Sequence, residues 1–518
     1  MGLSFSASPG RAYYVPVGHR EGPQLPPEQV ASSLKPLLED PSLLKTGHNA
    51  NFDMTVLEAA WGLRVAGLQF DTMIAAHLLG KKAIGLKALA LDLLGQEMTH
   101  ITALIGTGAK QTTMDNVPIP EASAYACADA DMTWRLRSLL KDGLEKDGLW
   151  KLFAEEELPL VPVLVRMQLN GVAINVPLLR QMSQELHQRL QPKTGYSTDA
   201  ASLEALKGAH PVIDLILEYR QLSKLKSTYV DALPEMVNPR TGRLHTSYNQ
   251  AGVVTGRVSS SEPNIQNIPI RTELGRQVRK AFVPGQPGWL LMAADYSQVE
   301  LRVLAHISRD EGLLAAFARD EDIHAATASL VYGVPLSEVT PDMRRIAKVL
   351  NFGVLYGLSP YGISQQTDLN PEQGAQFIET YFAKFPGIRQ YIEGAKEQAR
   401  RLGYVETLLR RRRYMPEINS SNFVARQAAE REAINMPIQG TAAEIIKRAM
   451  VRLQERMDAI GLRSMMTIQV HDELIFEVPP EELETMRSLI LEVMPGAIQL
   501  AVPLKVAVKV GPSWGDLE

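Results

Sequence analysis

The sequence predicts a multidomain protein that joins an α/β unit to a larger α+β unit. At 518 residues, with 45% hydrophobic and 22% charged positions, the chain is too long for one core and too apolar to be disordered. Roughly three domains fit that length. The first 140 or so residues mix short strands with amphipathic helices, whereas a long helix-rich section later gives way to strands near the C-terminal end.

The elements follow in order. Ala12 to Val17 reads as strand and turn, and Pro-rich joints lie at Gly22–Pro27 and Asn116–Pro120. From Leu158 the pattern becomes helical, breaks at Asn170-Gly171, and restarts at Asn175-Val176-Pro177, where Asn175 suits an N-cap and Pro177 the first turn. A second helical run extends to Lys226, so two long helices with an irregular tip around 190–199 form an arm. The chain is then loop-rich to Asn267. Trp289 to Ala294 is a short apolar run suited to a buried strand, a helix-rich section covers Glu300 to about Ile460, and strands return at Met466–Val470, Leu474–Val478 and Val502–Val510.

Composition removes several classes of function. The single cysteine, Cys127, excludes an intramolecular disulfide framework and a Cys-rich zinc module, and fits a reducing interior. No apolar run approaches the roughly 18 to 20 residues needed to span a bilayer, and the first residues lack a signal-peptide layout, so a soluble cytoplasmic protein with no membrane partner is expected. The 54 Lys+Arg against 58 Asp+Glu give a net charge of −4. Any polyanion site must therefore be a local one.

The chemistry concentrates in three segments. Asp295 directly follows the apolar run and would emerge at a strand end, while Asp472 lies at the bend of an apparent hairpin. Two such carboxylates at neighbouring strand ends suit a two-metal site, in which hard oxygen ligands bridge Mg²⁺ ions and a substrate supplies phosphate oxygens. On spacing alone, two ordinary turn aspartates would read the same way. In the third segment, Thr340 and Pro341 start a helix on which Arg344, Lys348, Phe352 and Tyr356 recur every fourth residue and so form one drifting stripe. Two cations followed by two rings suit a nucleoside triphosphate; an amphipathic helix with a basic end is the alternative.

Asp295-Tyr296-Ser297-Gln298-Val299-Glu300-Leu301-Arg302, the helix from Arg344 to Gly357, and Val470-His471-Asp472-Glu473 resemble motifs A, B and C of the A-family DNA polymerases, in the form of the large, Klenow-type fragment of bacterial polymerase I. Thr255 to Ser260, Pro263 to Pro269 and Asn435 to Ala443 extend the resemblance to nearly the whole chain. It implies a ribonuclease H-like 3′→5′ exonuclease domain followed by a right hand of palm, fingers and thumb. The divisions expected are 1–150 for the exonuclease-like domain, 151–245 for a short thumb, 246–310 with 431–518 for the palm, and 311–430 for the fingers.

The resemblance also implies roles. Asp295 and Asp472 would hold two Mg²⁺ ions, with Lys348 as a further catalytic group protonating the leaving pyrophosphate. Arg344, Lys348, Phe352, Tyr356, Gln298, Glu300 and His471 would bind the incoming deoxynucleoside triphosphate, with Glu300 closing the sugar pocket against a 2′-hydroxyl. Phe352, where relatives carry Tyr or Phe, implies poor acceptance of dideoxynucleotides. Arg257, Gln266, Asn267, Arg271, Arg431, Asn435, Gln439 and Glu473 would contact primer-template DNA, and His471 would also line the junction. Local basic patches are expected at Arg271, Arg276, Arg279 and Lys280 and along Arg410 to Arg413. A monomer associated with the nucleoid is expected.

Two departures stand out. Asn49, Asp53, Asp71, Tyr125 and Asp129 resemble the second and third proofreading motifs, but the first, an Asp-x-Glu, should precede Gly2 and is not in the sequence, so negligible proofreading is expected. By the same resemblance the arm is expected to lack a segment of several tens of residues between Leu190 and Thr194, which would weaken the grip on duplex DNA. The competing readings are a 3′→5′ exonuclease and a primer-template binding protein with impaired turnover.

Overall fold

The computed structural model describes residues 2–517, except 190–210 and the single residues Arg271, Tyr356, Leu358, Gln365 and Asp368. The shortening expected at 190–194 and the roles expected of Arg271 and Tyr356 lie outside the described residues.

The N-terminal unit is built on two small sheets. Gly2–Ser8 pairs antiparallel with Arg11–Pro16, and Lys45–Gly47 pairs parallel with Leu68–Asp71. The long helix Ile119–Lys146 packs across them, and Phe70, Leu136, Leu140 and Phe153 close the core. Helix Leu158–Asn170 then joins this unit to the rest, because it is apolar nearly all round: Val161 and Val165 enter the first core, and Leu160, Leu164 and Met167 enter the second. Gln168 seals the junction, its amide donating to Asn51 and to Thr55, both at 2.8 Å, and accepting from the Tyr248 backbone at 2.7 Å.

The arm begins where expected. Asn175 Oδ1 accepts from Leu178 N at 3.1 Å and caps the helix Val176–Arg189; the returning helix is Pro211–Leu225.

The second unit centres on a four-stranded antiparallel sheet with Leu290–Tyr296 and Glu473–Val478 in the middle, flanked by Val506–Gly511 and Met465–Val470. Met292, Ala294, Leu474 and Phe476 are buried, as the continuous apolar runs require. The last strand starts at Val506, four residues later than expected, because Pro503 has no N–H for the ladder and its carbonyl instead accepts from Arg302.

Helices Val299–Ser308, Ile323–Tyr332, Pro341–Leu355, Pro371–Lys384 and Pro386–Leu402 form the helix-rich section. Thr340 caps its helix, accepting from Met343 N at 3.2 Å. One unbroken helix of 37 residues, Phe423–Ala459, crosses residue 431, so the division expected between fingers and palm there falls inside a continuous element. Pro437 lies in its buried interior, where packing outweighs the lost hydrogen bond. Among the described residues, no helix is long and apolar enough to cross a membrane.

Candidate active site

The sheet brings the two candidate carboxylates to one edge. Strand Leu290–Tyr296 continues through Asp295, which therefore sits within the ladder, opposite Glu473 on one side and Ala507 on the other. His471 and Asp472 form the two-residue connection between Met465–Val470 and Glu473–Val478, with His471 at φ 51 in the left-handed region. Tyr296 N donates to the Asp472 carbonyl at 3.2 Å and ties the hairpin to the strand. Asp295, His471, Asp472 and Glu473 thus line one cleft of about 620 Å³ with Gln266 and Asn267.

The electrostatics of this cleft are those of crowded acids. Desolvation, then repulsion from Asp472, pushes the Asp295 carboxyl up to about 6. Desolvation also raises Asp472, opposed by Arg257 and His471. Glu473 is pushed up to about 7 by burial and by Asp295. Such a site favours either protons or a hard cation, so the donor set fits divalent metal. Among the described residues no group of three or more His, Cys, Asp or Glu side chains is arranged around one point to hold a metal ion. Glu473, grouped from sequence with DNA contacts, stands opposite Asp295 across the ladder and shares the cleft with these acids.

Glu300 stands in the first turn of the helix after Asp295, buried, and accepts from Arg257 Nη2 at 2.7 Å. Gln298 precedes that helix at φ 54. Gln266 is engaged within the protein, donating to the Val258 and Gln469 carbonyls and accepting from Ser260 N, while the Asn267 carbonyl accepts from Tyr229 at 2.7 Å. Arg431, Asn435 and Gln439 recur every fourth residue on the long helix and line a second, smaller cleft with Thr255.

Arg344, Lys348 and Phe352 stand on the helix Pro341–Leu355, outside the lining of the carboxylate cleft. Arg344 and Lys348 are exposed; Arg344 Nε donates to Asp322 at 2.7 Å, and the Phe352 ring lies 5.7 Å from that of His324. Sequence reasoning missed both partners. Asp322 and His324 carried only a helix-start signal, which Asp322 fulfils by accepting from His324 N and Ala325 N.

In both expected basic patches part of the charge is taken up within the protein, while Lys280 and Arg410 stay exposed. Arg279 is buried over the Trp514 ring and donates to the Ile268 carbonyl, and Arg276 pairs with Glu273. In the arginine run, Arg411 is buried, Arg412 pairs with Glu406 and Asp147, and Arg413 pairs with Glu432. Glu157, Asp147 and Glu432, distant in sequence, pair with three of the run from Arg410 to Arg413, whereas Arg276 pairs within its own helix.

The exonuclease-like residues gather in the N-terminal unit. Both Asp71 oxygens accept backbone N–H groups, from Asn49, Ala50, Met73 and Ile74, while burial raises its pKa. Asp53 is exposed as a residue, yet the chain around its carboxyl, with the Asp71 charge, pushes it up to about 6. Asp129 pairs with Lys87 Nζ at 3.2 Å, and that ammonium also lies 4.2 Å from the Tyr125 ring centroid. With Asp71 held by backbone and Asp129 by a lysine, the set as placed does not fit a pair of metal ions.

Comparison with known proteins decides the family. The profile of DNA polymerase family A matches residues 166–516. The chain belongs to that family. A 3′-5′ exonuclease profile matches residues 1–145 of this A-family chain. It is 46% identical to the DNA polymerase I of Chloroflexus aurantiacus over 563 aligned positions, covering 100% of this chain and 59% of the relative. With the thermostable DNA polymerase I of Thermus aquaticus the identity is 48%, over 71% of this chain and 49% of the relative. The chain thus spans between about half and three fifths of the length of these relatives. A solved structure titled as the POL domain of Pol1 from M. smegmatis in complex with DNA primer-template and dNTP superposes with a TM-score of 0.87 at 37% identity, covering 98% of this chain and 92% of that one.

Proposed function

We propose that this chain performs template-directed DNA synthesis, adding deoxynucleotides to a primer 3′-hydroxyl with release of pyrophosphate, in replication and repair. The observation that carries the reading is the meeting of Asp295 and Asp472 in one desolvated cleft of an A-family chain. Asp295 and Asp472 would hold two Mg²⁺ ions, which when bound would acidify the 3′-hydroxyl and neutralise the leaving pyrophosphate.

The chain's own groups supply the rest. Arg344 exchanges Asp322 for the triphosphate, since a polyphosphate offers more charge than one half-exposed carboxylate. Lys348, one turn along and exposed, donates a proton to the departing pyrophosphate oxygen. Phe352, backed by His324, packs against the nascent base pair. Glu300, held by Arg257, leaves room for a sugar without a 2′-hydroxyl. Arg431, Asn435 and Gln439 present donors to minor-groove acceptors shared by all base pairs, a readout that suits copying. The partner is thus primer-template DNA.

The test offers a recessed primer on four templates that differ in the first unpaired base, with Mg²⁺ and one triphosphate at a time. Addition only of the complementary nucleotide supports the reading. Primer shortening, or binding with no extension on any template, contradicts it.

A further inference from the structure

Beneath the 255–257 loop lies a buried cluster of charges that the reaction does not itself use. Glu157, Arg411, Glu444 and Lys447 are each at most 2% exposed. Glu157 accepts from Arg411, from Lys447 Nζ at 2.8 Å and from Gln250 at 2.7 Å, and Arg411 Nε lies 3.4 Å from Glu444, which also accepts from Thr407 at 2.8 Å. Four ionisable groups are a costly way to fill a core, since apolar side chains of similar volume are often no less stable. Their placement calls for another reason.

The reason lies in what rests on Arg411. Gly256, at φ 81, packs directly against the guanidinium: a Cβ added there would stand 2.6 Å from Arg411 Cζ. The next residue is Arg257, whose Nη2 donates to Glu300 at 2.7 Å. On the other side, a Cβ at Gly440 would meet Thr407 and, at 3.3 Å, the Thr255 carbonyl, so the long helix closes on the same loop. The exonuclease-like unit joins in as well. His77, on the helix that Asp71 caps, hydrogen-bonds the backbone of Val253 and faces Arg411, Glu157 and Lys447.

We propose that Arg411 is a positioning residue for the sugar pocket: its guanidinium, clamped by Glu157 and Glu444, is the flat platform that fixes Gly256 and thereby holds Arg257 on Glu300. A guanidinium suits the task because it is planar and keeps a fixed fork geometry, which an ammonium on a flexible stem does not. This rests on the polymerase reading above.

The experiment measures kcat and KM for single insertions of a deoxynucleotide and of the ribonucleotide with the same base, in the intact chain and in Arg411→Lys, Gly256→Ala and the double variant, with Glu300→Ala as reference. Arg411→Lys keeps the charge and loses the plane, so its preference for the deoxynucleotide should fall roughly tenfold, the equivalent of one displaced buried hydrogen bond. Gly256→Ala should do the same, and the double variant should lose no more than the worse single one, because both act through one contact. Unchanged selectivity in a folded Arg411→Lys, or a multiplicative loss in the double variant, overturns the proposal. Should Arg411→Lys fail to fold, unchanged selectivity in Gly256→Ala overturns it alone. Absence of extension by the intact chain would sink the polymerase reading and this proposal together, whereas extension with selectivity lost in Glu300→Ala but kept in Arg411→Lys would sink only this one.

Discussion

Replacing Glu157 with Gln isolates the energetics of the buried cluster. The side chain keeps its shape and can still accept hydrogen bonds, but Arg411 and Lys447, both essentially inaccessible to water, lose the carboxylate they share. Removing one partner of a buried pair typically costs about 3–5 kcal/mol, because the remaining charge stays unsolvated. At about 2–4 °C per kcal/mol for large domains, the melting temperature should drop by roughly 6–20 °C. Burial already lowers the Lys447 pKa, and without Glu157 it should fall further. Below its ordinary pKa the variant's folded state then binds fewer protons than the parent's while the unfolded states match, so the deficit of Glu157→Gln should shrink as pH rises through the range between the two lowered values. Adding Lys447→Met removes one cation with the anion and should recover at least half of the loss. Thermal unfolding of the parent, the single and the double variant at two pH values reads all of this. A melting temperature for Glu157→Gln within about 2 °C of the parent would refute the reasoning.

Three further outcomes are expected. Glu300→Ala opens the sugar pocket and should raise ribonucleotide insertion by roughly two orders of magnitude, if a clashing hydroxyl costs about 2–3 kcal/mol, as read by competitive insertion kinetics. Arg410 is held at φ 72, in the left-handed region, so Arg410→Gly should stabilise by about 0.5–1 kcal/mol after allowing for the greater freedom of glycine when unfolded, measured by denaturant titration. Cation binding must displace the proton that Asp295 holds up to about pH 6; apparent Mg²⁺ affinity should therefore be nearly flat at higher pH and fall about tenfold per unit below it, as followed by titration calorimetry.

What the sequence revealed and what it hid follow from the range of the interactions involved. The carboxylate hairpin was legible because two apolar runs separated by His471-Asp472 can close only one way, and the Arg344 helix because Thr340 and Pro341 mark its start. Arg279 and Arg411 were misread as surface charge because nothing near them in sequence announces Trp514 or Glu157. The boundary expected at residue 431 has no local mark, because the helix Phe423–Ala459 runs unbroken through it. Asp322, the partner of Arg344, was indistinguishable from an ordinary cap. In the exonuclease-like unit the motif residues were visible, but the lysine that neutralises Asp129 lies 42 positions earlier.

The central claim is that Asp295 and Asp472 form the catalytic centre of a DNA-extending enzyme. Single-nucleotide addition to a recessed primer, measured for the intact chain and for Asp295→Ala at matched primer-template occupancy, tests it most directly. The account predicts Mg²⁺-dependent addition of the complementary nucleotide by the intact chain and none above background by a folded, DNA-binding Asp295→Ala. Comparable addition by the two proteins would contradict it.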